Sequence, residues 1–206
     1  NMSNVETLTM TGVFQMQATL GAEAAEAGIQ TVTFTDTGGN DALTVGAGFT
    51  NALTVNLDSD ATNLNSITAT NYTGNLSVVV ASANADNATG HTLTGGTGTD
   101  TLTVNGATAA AVTVSLANMT NFERVVLVGD DDATAADTIT IATVDANTAD
   151  GETLTIDGTD LGDDDIAVTL NDTNGINIVK GAGGADSITG SASDLGDTLE
   201  GNGGID

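Results

Sequence analysis

The stretch GGTGTDTL at residues 95–102 places three glycines and an aspartate directly before a short aliphatic run. Glycine accepts backbone angles that are closed to other residues, so such a turn can aim several carbonyl oxygens at one point. Asp100 adds charged oxygens to the same turn, and Leu102 starts a run typical of a β-strand. The stretch therefore predicts a tight turn that leads into a strand.

Related stretches occur elsewhere in the chain. Residues 181–188 read GAGGADSI, residues 196–199 read GDTL, and residues 201–206 read GNGGID. A weaker relative, GGNDAL, lies at residues 38–43. One turn offers few oxygens, whereas Ca²⁺ takes 6–8 of them, so an ion would have to lie between two successive turns. We expect a repeat of about nine residues to stack these turns on each other.

Short runs that alternate Thr or another small residue with Val, Ile or Leu fill the rest of the chain. This period of two, with β-branched residues and turn residues between the runs, predicts β-strands with one buried face. The predicted strands are residues 31–35, 42–45, 52–57, 76–80, 101–104, 112–116, 124–128, 138–141, 153–156, 166–170 and 176–179. Only residues 21–27 read as helical, over about two turns.

Many short strands at regular spacing suit a sandwich, a barrel or a solenoid. Small aliphatic residues favour the solenoid, since they suit ladders inside a narrow coil. The chain also repeats itself, because the element that begins at Asn4 recurs at Asn121. We therefore predict an all-β fold, a parallel β-helix or β-roll. Its expected core or ladder residues include Val5, Phe14, Phe34, Phe49 and Phe122.

The charge of the chain is extreme, with 28 Asp and Glu against 2 Lys and Arg, a net charge of −26. Such a chain has no basic patch for nucleic acid or anionic lipid. It also has no run near the about 20 apolar residues of a membrane span, so we expect no membrane insertion. However, 39% hydrophobic residues are too many for an acidic disordered tail. The charge therefore requires counter-ions.

The glycine-aspartate stretches resemble the nonapeptides of the repeats-in-toxin (RTX) family, and the chain as a whole resembles RTX-type surface-layer (S-layer) proteins of Gram-negative bacteria. In those proteins a GGxGxDxL turn precedes a Thr/Val-rich stretch and an Asn- or Gly-x-Glu element, here Asn121-Phe122-Glu123. The resemblance implies calcium-binding turns in a β-roll or β-helix. It also implies a secreted, extracellular protein of the bacterial cell surface, which assembles with identical subunits into an oligomer or lattice, and a contact with cell-surface polysaccharide through another part of the protein.

The predicted calcium ligands come from two sources. The resemblance carries the family's turns onto Gly96, Gly98, Asp100, Gly184, Asp186, Asp197, Gly204 and Asp206. Asp41 lies in the weaker relative of the motif, and Asp157 and Asp160 lie close to the triplet at residues 163–165. That aspartate triplet precedes a predicted strand, and a second aspartate triplet, at residues 130–132, follows one. Each triplet is either a solvated turn or a group of carboxylates that share cations.

The organisation is read as a Thr/Val-rich solenoid over residues 1–180 and an RTX-type block over residues 181–206. Because the chain does not begin with Met and stops within a repeat, we expect a fragment of a longer protein. We expect no catalysis within it. The one histidine, His91, is expected to be an exposed loop residue. The sequence shows no set of titratable residues that could serve together as nucleophile, acid and base.

The function that follows is a structural, calcium-dependent, self-assembling segment. Two alternatives remain open: a stalk segment of a large RTX adhesin, and the non-catalytic RTX domain of an exported hydrolase.

Overall fold

The chain forms a parallel β-solenoid. The computed structural model describes residues 4–12, 14–35, 39–57, 64–81, 91–107, 112–129, 138–148, 151–173, 175–191 and 196–204. Every strand pair in these ranges is parallel, so the predicted all-β solenoid is confirmed.

The described strands are β1 Thr7–Met10, β2 Gln17–Leu20, β3 Thr31–Phe34, β4 Ala42–Val45, β5 Leu53–Asn56, β6 Ser66–Thr68, β7 Leu76–Ala81, β8 Thr92–Thr94, β9 Thr101–Ala107, β10 Val112–Ser115, β11 Met119–Thr120, β12 Arg124–Gly129, β13 Thr138–Ala142, β14 Thr153–Asp160, β15 Asp165–Thr169, β16 Ile176–Lys180, β17 Ser187–Thr189 and β18 Thr198–Glu200. A short helix, α1 Ala22–Ala27, confirms the expected helical excursion. It ends at Gly28, whose φ of 97° lies in the left-handed region.

Three sheets make up the walls of the solenoid. The first sheet has the order β1-β3-β5-β7-β9-β12-β14-β16-β18 and extends through the whole stack. The second sheet, β11-β8-β6-β4-β2, faces it in the N-terminal half, and the third sheet, β10-β13-β15-β17, faces it in the C-terminal half. Each circuit of the chain therefore adds one strand, and one rung, to the first sheet.

An unbroken column of aliphatic side chains lies inside the first sheet. The strand registers align Leu8, Val32, Val55, Val78, Leu102, Val125, Ile156, Val179 and Leu199. The seven interior members are buried, whereas Leu8 is half-buried and Leu199 is exposed at the two ends of the column. Stacked side chains of similar size fill a narrow interior without large aromatic residues, which explains how a chain with 2% aromatics can have a continuous core.

The expected nine-residue stacking is wrong. Thr7 pairs with Thr31, Arg124 with Thr155 and Ile178 with Thr198, so aligned positions lie more than twice that distance apart in the chain. The reason is that a full circuit contains a strand on each of two walls as well as two corners. Consecutive glycine-aspartate turns consequently lie at different corners.

Of the five expected core residues, Val5 is half-buried and packs against the core. Phe34, Phe49 and Phe122 are buried, as predicted, and Phe49 packs against Tyr72 with ring centroids 5.9 Å apart. For Phe14 the prediction is wrong, because its side chain is 79% exposed. Phe14 precedes β2 at a corner, outside the alternating pattern that turns every second side chain inward.

Candidate functional site

The turn at residues 95–102 connects β8 to β9, and its aspartate points inward. Asp100 is 0% exposed. Its Oδ1 accepts a hydrogen bond of 2.8 Å from the backbone N–H of Leu76 in the preceding rung, and its Oδ2 accepts one of 2.5 Å from the N–H of Gly96 in its own turn. The carboxylate thus fastens the turn to the rung below it.

The aspartates of the other turns make the same kind of bond. Oδ1 of Asp186 accepts the N–H of Ile166 at 2.9 Å, and Oδ1 of Asp41 accepts the N–H of Met16 at 2.7 Å. Oδ1 of Asp197 accepts the N–H of Asn177 at 3.0 Å. These bonded pairs are 20 residues apart for Asp186 and 25 residues apart for Asp41. Each aspartate therefore bonds to backbone from the previous circuit.

The glycines of these turns are needed because backbones touch there. A Cβ at Gly96 would overlap the carbonyl oxygen of Tyr72, and a Cβ at Gly98 would overlap that of Gly74. The N–H of Thr97 donates to the same carbonyl of Tyr72 at 2.9 Å. Gly96 and Gly98 thus hold one turn directly on the backbone of the one below.

A cleft of about 380 Å³ opens beside this turn. Its lining includes Gly96, Gly98, Glu123, Thr148 and Glu152. Glu123 precedes β12 at the position that Asp100 has before β9, and the N–H of Asp100 donates to Glu123 Oε2 at 2.6 Å. Two carboxylates on adjacent rungs are therefore close together at the edge of an open space.

Burial raises the pKa of both groups. Desolvation is the main cause for Asp100, and the hydrogen bonds from Leu76 and Gly96 oppose it. For Glu123 desolvation is again the largest cause of the raised pKa, and the negative charges of Asp100 and Glu152 add to it. The corner therefore disfavours its own negative charge, which is the condition that a bound cation would relieve.

A second corner stacks three layers of the C-terminal turns. The N–H of Gly183 donates to the carbonyl oxygen of Gly162 at 2.7 Å, and the N–H of Gly203 donates to the carbonyl oxygen of Ala182 at 3.2 Å. The stretch at residues 201–204 thus lies on the turn at residues 181–186, and that turn lies on the triplet at residues 163–165.

Oxygen atoms converge at Gly184 in this corner. A Cβ there would overlap Oδ1 of Asp165 and the carbonyl oxygen of Asp164, and it would lie 2.7 Å from the carbonyl oxygen of Asp163. The N–H of Ala185 also donates to Asp165 Oδ1, at 2.6 Å. Carboxylate and carbonyl oxygens are the donors that Ca²⁺ takes, so the donor chemistry of this corner fits that ion.

Other predicted ligands have different surroundings. Gly204 lies in the top layer of the second corner with a φ of 80°, and Asp206 and the triplet at residues 130–132 lie outside the described residues. Asp197 lies before β18, at the corner that precedes the first sheet, and does not stack on Asp186. The structure thus divides the C-terminal aspartates between two corners.

Asp157 and Asp160 belong to strand β14. Oδ2 of Asp157 forms an ion pair of 2.7 Å with Arg124, and its Oδ1 accepts the Thr159 hydroxyl at 2.6 Å. Although burial acts in the other direction, the bonds from Thr159 and Arg124 lower the pKa of Asp157. Asp157 already has a counter-charge, whereas Asp160 is exposed at the end of the strand.

His91 is not the exposed loop residue that the sequence predicts, because it is only 3% exposed. It lies before β8, where its Nδ1 accepts the N–H of Asn65 at 2.9 Å. Asn65 Oδ1 in turn accepts the N–H of Asp41 at 3.0 Å, and Asp41 accepts that of Met16. His91 therefore continues a ladder of polar side chains that cap the strands of the second sheet.

Reasoning from the sequence missed Glu123, Glu152 and Thr148 as neighbours of the first turn. In the sequence, Glu123 stands out only as part of the repeated element that begins at Asn121. The available signal is positional: Asp100, Glu123 and Glu152 each directly precede a strand of the first sheet. Asp100 and Glu123 are aligned by the strand register, whereas Glu152 lies two positions before the residue that aligns with Glu123, because Arg124 pairs with Thr155.

Within the described ranges, no three Asp, Glu or His side chains come together as a ready-made metal cluster. No helix in these ranges is long and apolar enough to cross a membrane. Comparison with family models, with curated proteins and with solved structures gave no match. The functional argument consequently depends on the geometry of the two corners.

Proposed function

We propose that the chain is a structural, calcium-dependent, self-assembling segment of a secreted bacterial surface-layer protein. The observation that carries the proposal is the second corner, where oxygens of Asp163, Asp164 and Asp165 converge at Gly184 beneath a further glycine turn. Bound Ca²⁺ would supply positive charge that the protein's own side chains do not.

Charge supports this role. The protein has two basic side chains for 28 acidic ones, and one of the two, Arg124, is paired with Asp157. Without cations, carboxylates on successive rungs repel each other across about 4.8 Å, the spacing of paired strands. Cations that bind only the folded coil stabilise it by mass action, and they also allow two acidic surfaces to approach each other.

The chain's own residues have defined roles in this proposal. The aspartates that bond to the preceding rung keep the turns in register, and the glycines allow backbones to touch. Asp165 and the carbonyl groups of residues 163 and 164 would hold the ion at the second corner. Glu123 and Glu152 would attract cations into the cleft at the first.

The test is circular dichroism and light scattering of the full chain, first in EDTA and then in millimolar Ca²⁺. We expect a gain of strand signal and particle size with Ca²⁺. Asp165→Asn should need more Ca²⁺ for both changes, whereas Glu26→Gln, which removes one exposed charge on α1, should behave like the wild type. Equal strand content and equal particle size in EDTA and Ca²⁺ would refute the proposal.

The two alternatives predict other outcomes. An RTX adhesin stalk would gain strand content with Ca²⁺ but stay monomeric and extended. The continuous nine-stranded sheet is compatible with such a stalk. A non-catalytic domain of an exported hydrolase would behave in the same way and would be recognised by a catalytic domain encoded in the same gene. Ordered two-dimensional arrays in Ca²⁺ would favour the surface-layer role.

A further inference from the structure

The first sheet has an open edge at each end of the stack. Among the described strands, β1 pairs only with β3, and β18 pairs only with β16. The aliphatic column inside this sheet is also less covered at its two ends, where Leu8 is half-buried and Leu199 is 42% exposed. An unpaired strand edge presents N–H and C=O groups that can pair with another strand. Each end of the sheet therefore offers hydrogen-bonding groups and apolar surface to a further strand.

A junction between two rungs in the middle of the coil shows which sequences fit each other. There β12 pairs with β9, and Arg124 is in register with Thr101. The N–H groups of Glu123 and Arg124 donate to the carbonyl oxygen of Asp100, at 3.1 and 3.2 Å. In return, the N–H of Asp100 donates to Glu123 Oε2 at 2.6 Å. This internal junction joins an Asp-Thr-Leu rung to the Asn-x-Glu element of the next rung.

The last described rung of the first sheet has the sequence of the lower half of this junction. Residues 197–199 read Asp-Thr-Leu, as residues 100–102 do. Asp197 Oδ1 accepts the N–H of Asn177 in the rung below at 3.0 Å, the same kind of bond that Asp100 makes. However, the N–H of Asp197 has no acceptor within the described ranges. The open edge of β18 thus lacks the glutamate that covers β9.

The first described rung has the sequence of the upper half. Residues 4–6 are the other copy of the element at residues 121–123. Glu6 is exposed, and no donor from the described residues reaches its carboxylate. The N–H of Thr31 donates to the carbonyl oxygen of Glu6 in the rung below, and Thr7 is in register with Thr31. The N–H of Thr7 therefore points the same way, to the open edge of β1.

We propose that copies of the chain join end to end, with β18 of one copy paired in parallel to β1 of the next. Leu199 then lies in register with Leu8, so the aliphatic column continues across the contact. The N–H of Asp197 reaches the carboxylate of Glu6, as in the internal junction. This proposal rests on the self-assembly proposed above and specifies one of its contacts, and it does not require a bound cation at the contact itself.

The acids at this contact do not prevent it, because the internal junction already places an aspartate and a glutamate on adjacent rungs. The contact joins two different surfaces, so it does not close on itself as a two-fold dimer does. It leads instead to an open row of copies. In such a row the nine-stranded sheet of one copy continues into the sheet of the next.

Cysteine cross-linking tests the contact, since the chain has no cysteine of its own. Residues in register on paired strands are about 4.8 Å apart, within the range of a disulfide. We expect a mixture of Thr7→Cys and Thr198→Cys proteins to form a disulfide-linked dimer under mild oxidation, and a chain with both substitutions to form a ladder of oligomers. The control mixture is Thr11→Cys with Thr198→Cys, because Thr11 lies about 13 Å further along the chain, out of register.

Thr7→Pro tests the contact without cysteines. It removes an N–H that faces the open edge and no bond within the chain, and edge strands tolerate proline. The variant should keep the circular dichroism and Tm of the wild type and lose the end-to-end oligomers in light scattering. Mixed with wild type it should shorten the rows, because it still offers β18 but blocks β1. Thr7→Pro particles as large as those of the wild type would contradict the proposal.

The cross-linking is run in EDTA and in millimolar Ca²⁺, which separates this proposal from the proposed function. No more dimer from the Thr7→Cys and Thr198→Cys mixture than from the control mixture, in both conditions, would overturn the end-to-end contact. Ca²⁺-driven arrays without this cross-link would count against the contact alone. Equal cross-linking in EDTA and in Ca²⁺ would support the contact and count against the calcium dependence of assembly.

Discussion

Asn4 and Asn121 have the same left-handed backbone conformation, with φ of 63° and 55°, at equivalent corners of the solenoid. Each lies three positions before a strand of the first sheet, β1 in one case and β12 in the other. The repeated element that the sequence shows at these residues is thus one structural unit used twice. Asparagine tolerates this conformation better than most residues with a side chain.

The first prediction concerns this corner. Asn121→Ala should lower the free energy of unfolding by about 1 kcal/mol, because alanine pays the full steric penalty of the left-handed region. Asn121→Gly should retain stability, since glycine pays no such penalty. Urea unfolding followed by circular dichroism measures both, and equal losses in the two variants would show that the side chain, not the backbone, matters.

The second prediction concerns the first turn. Gly96→Ala should lower the free energy of unfolding by about 3 kcal/mol, the upper end of the effect of overpacking, because its Cβ would overlap the carbonyl of Tyr72. Gly46→Ala is the matched control, because there the nearest atom would be at 3.4 Å. A Gly96→Ala protein as stable as Gly46→Ala would contradict the close stacking of the turns.

The third prediction concerns pH in the absence of Ca²⁺. The pKa values of Asp100 and Glu123 are raised above the ordinary 3.8 and 4.5, with burial as the main cause. Their contribution to stability is therefore present below the ordinary values and is lost as pH rises through the raised ones. We expect Tm in EDTA to fall as pH rises above about 4.5, and Glu123→Gln to reduce that fall.

Calcium supplies the control for this pH series. With millimolar Ca²⁺ present, the fall of Tm should shrink, because a cation favours the ionised carboxylates. If Tm changes equally with pH in the wild type and in Glu123→Gln in EDTA, the pKa of Glu123 is not raised in the folded protein, and the prediction is wrong.

The fourth prediction concerns His91. Burial is the main cause of its pKa lying below the ordinary 6.5. The folded protein therefore keeps this imidazole neutral while the unfolded chain takes up a proton, so the contribution of His91 to stability, measured against His91→Gln, should fall as pH drops below 6.5 and should oppose that of the two carboxylates. The expected loss is about 1.4 kcal/mol per pH unit until the folded protein itself titrates.

This histidine is the only one in the chain, so its NMR signals report the titration directly. His91→Gln offers an oxygen to the N–H of Asn65 without a titrating group. It should abolish the part of the pH dependence of stability that His91 causes between pH 6.5 and the pKa of His91 in the folded protein. A titration midpoint at 6.5 in the folded protein would contradict the buried position.

The sequence predicts the longer strands well, for a physical reason. Runs such as residues 76–80 and 166–170 carry at least two inward aliphatic side chains, and all the predicted runs are strands in the structure. By contrast, β6, β8 and β17 have three residues with a single aliphatic one between hydroxyl side chains. Such short segments carry no periodicity, and only pairing with their neighbours makes them strands.

The candidate site is harder to predict from the sequence than the fold is. The sequence identifies Asp100 and Asp186 as special, but it does not show which turns stack, because circuits differ in length. Nor does it distinguish an aspartate that bonds to backbone from one that binds metal, since both tasks use the same oxygens. Asp172 lies in no sequence motif. Only the structure shows that this carboxylate is buried next to Thr148 and Asn177, so the sequence alone does not predict it.

The bonds from aspartate to the preceding rung give the coil a direction of growth. Leu76 has a backbone N–H that is satisfied by Asp100, and Ile166 one that is satisfied by Asp186, so each acceptor comes from a later part of the chain. During synthesis, the most recently formed layer would therefore hold unsatisfied donors until the next circuit arrives. Each layer acts as a template for its successor and is completed by it, so the coil should form in the same order in which the chain emerges.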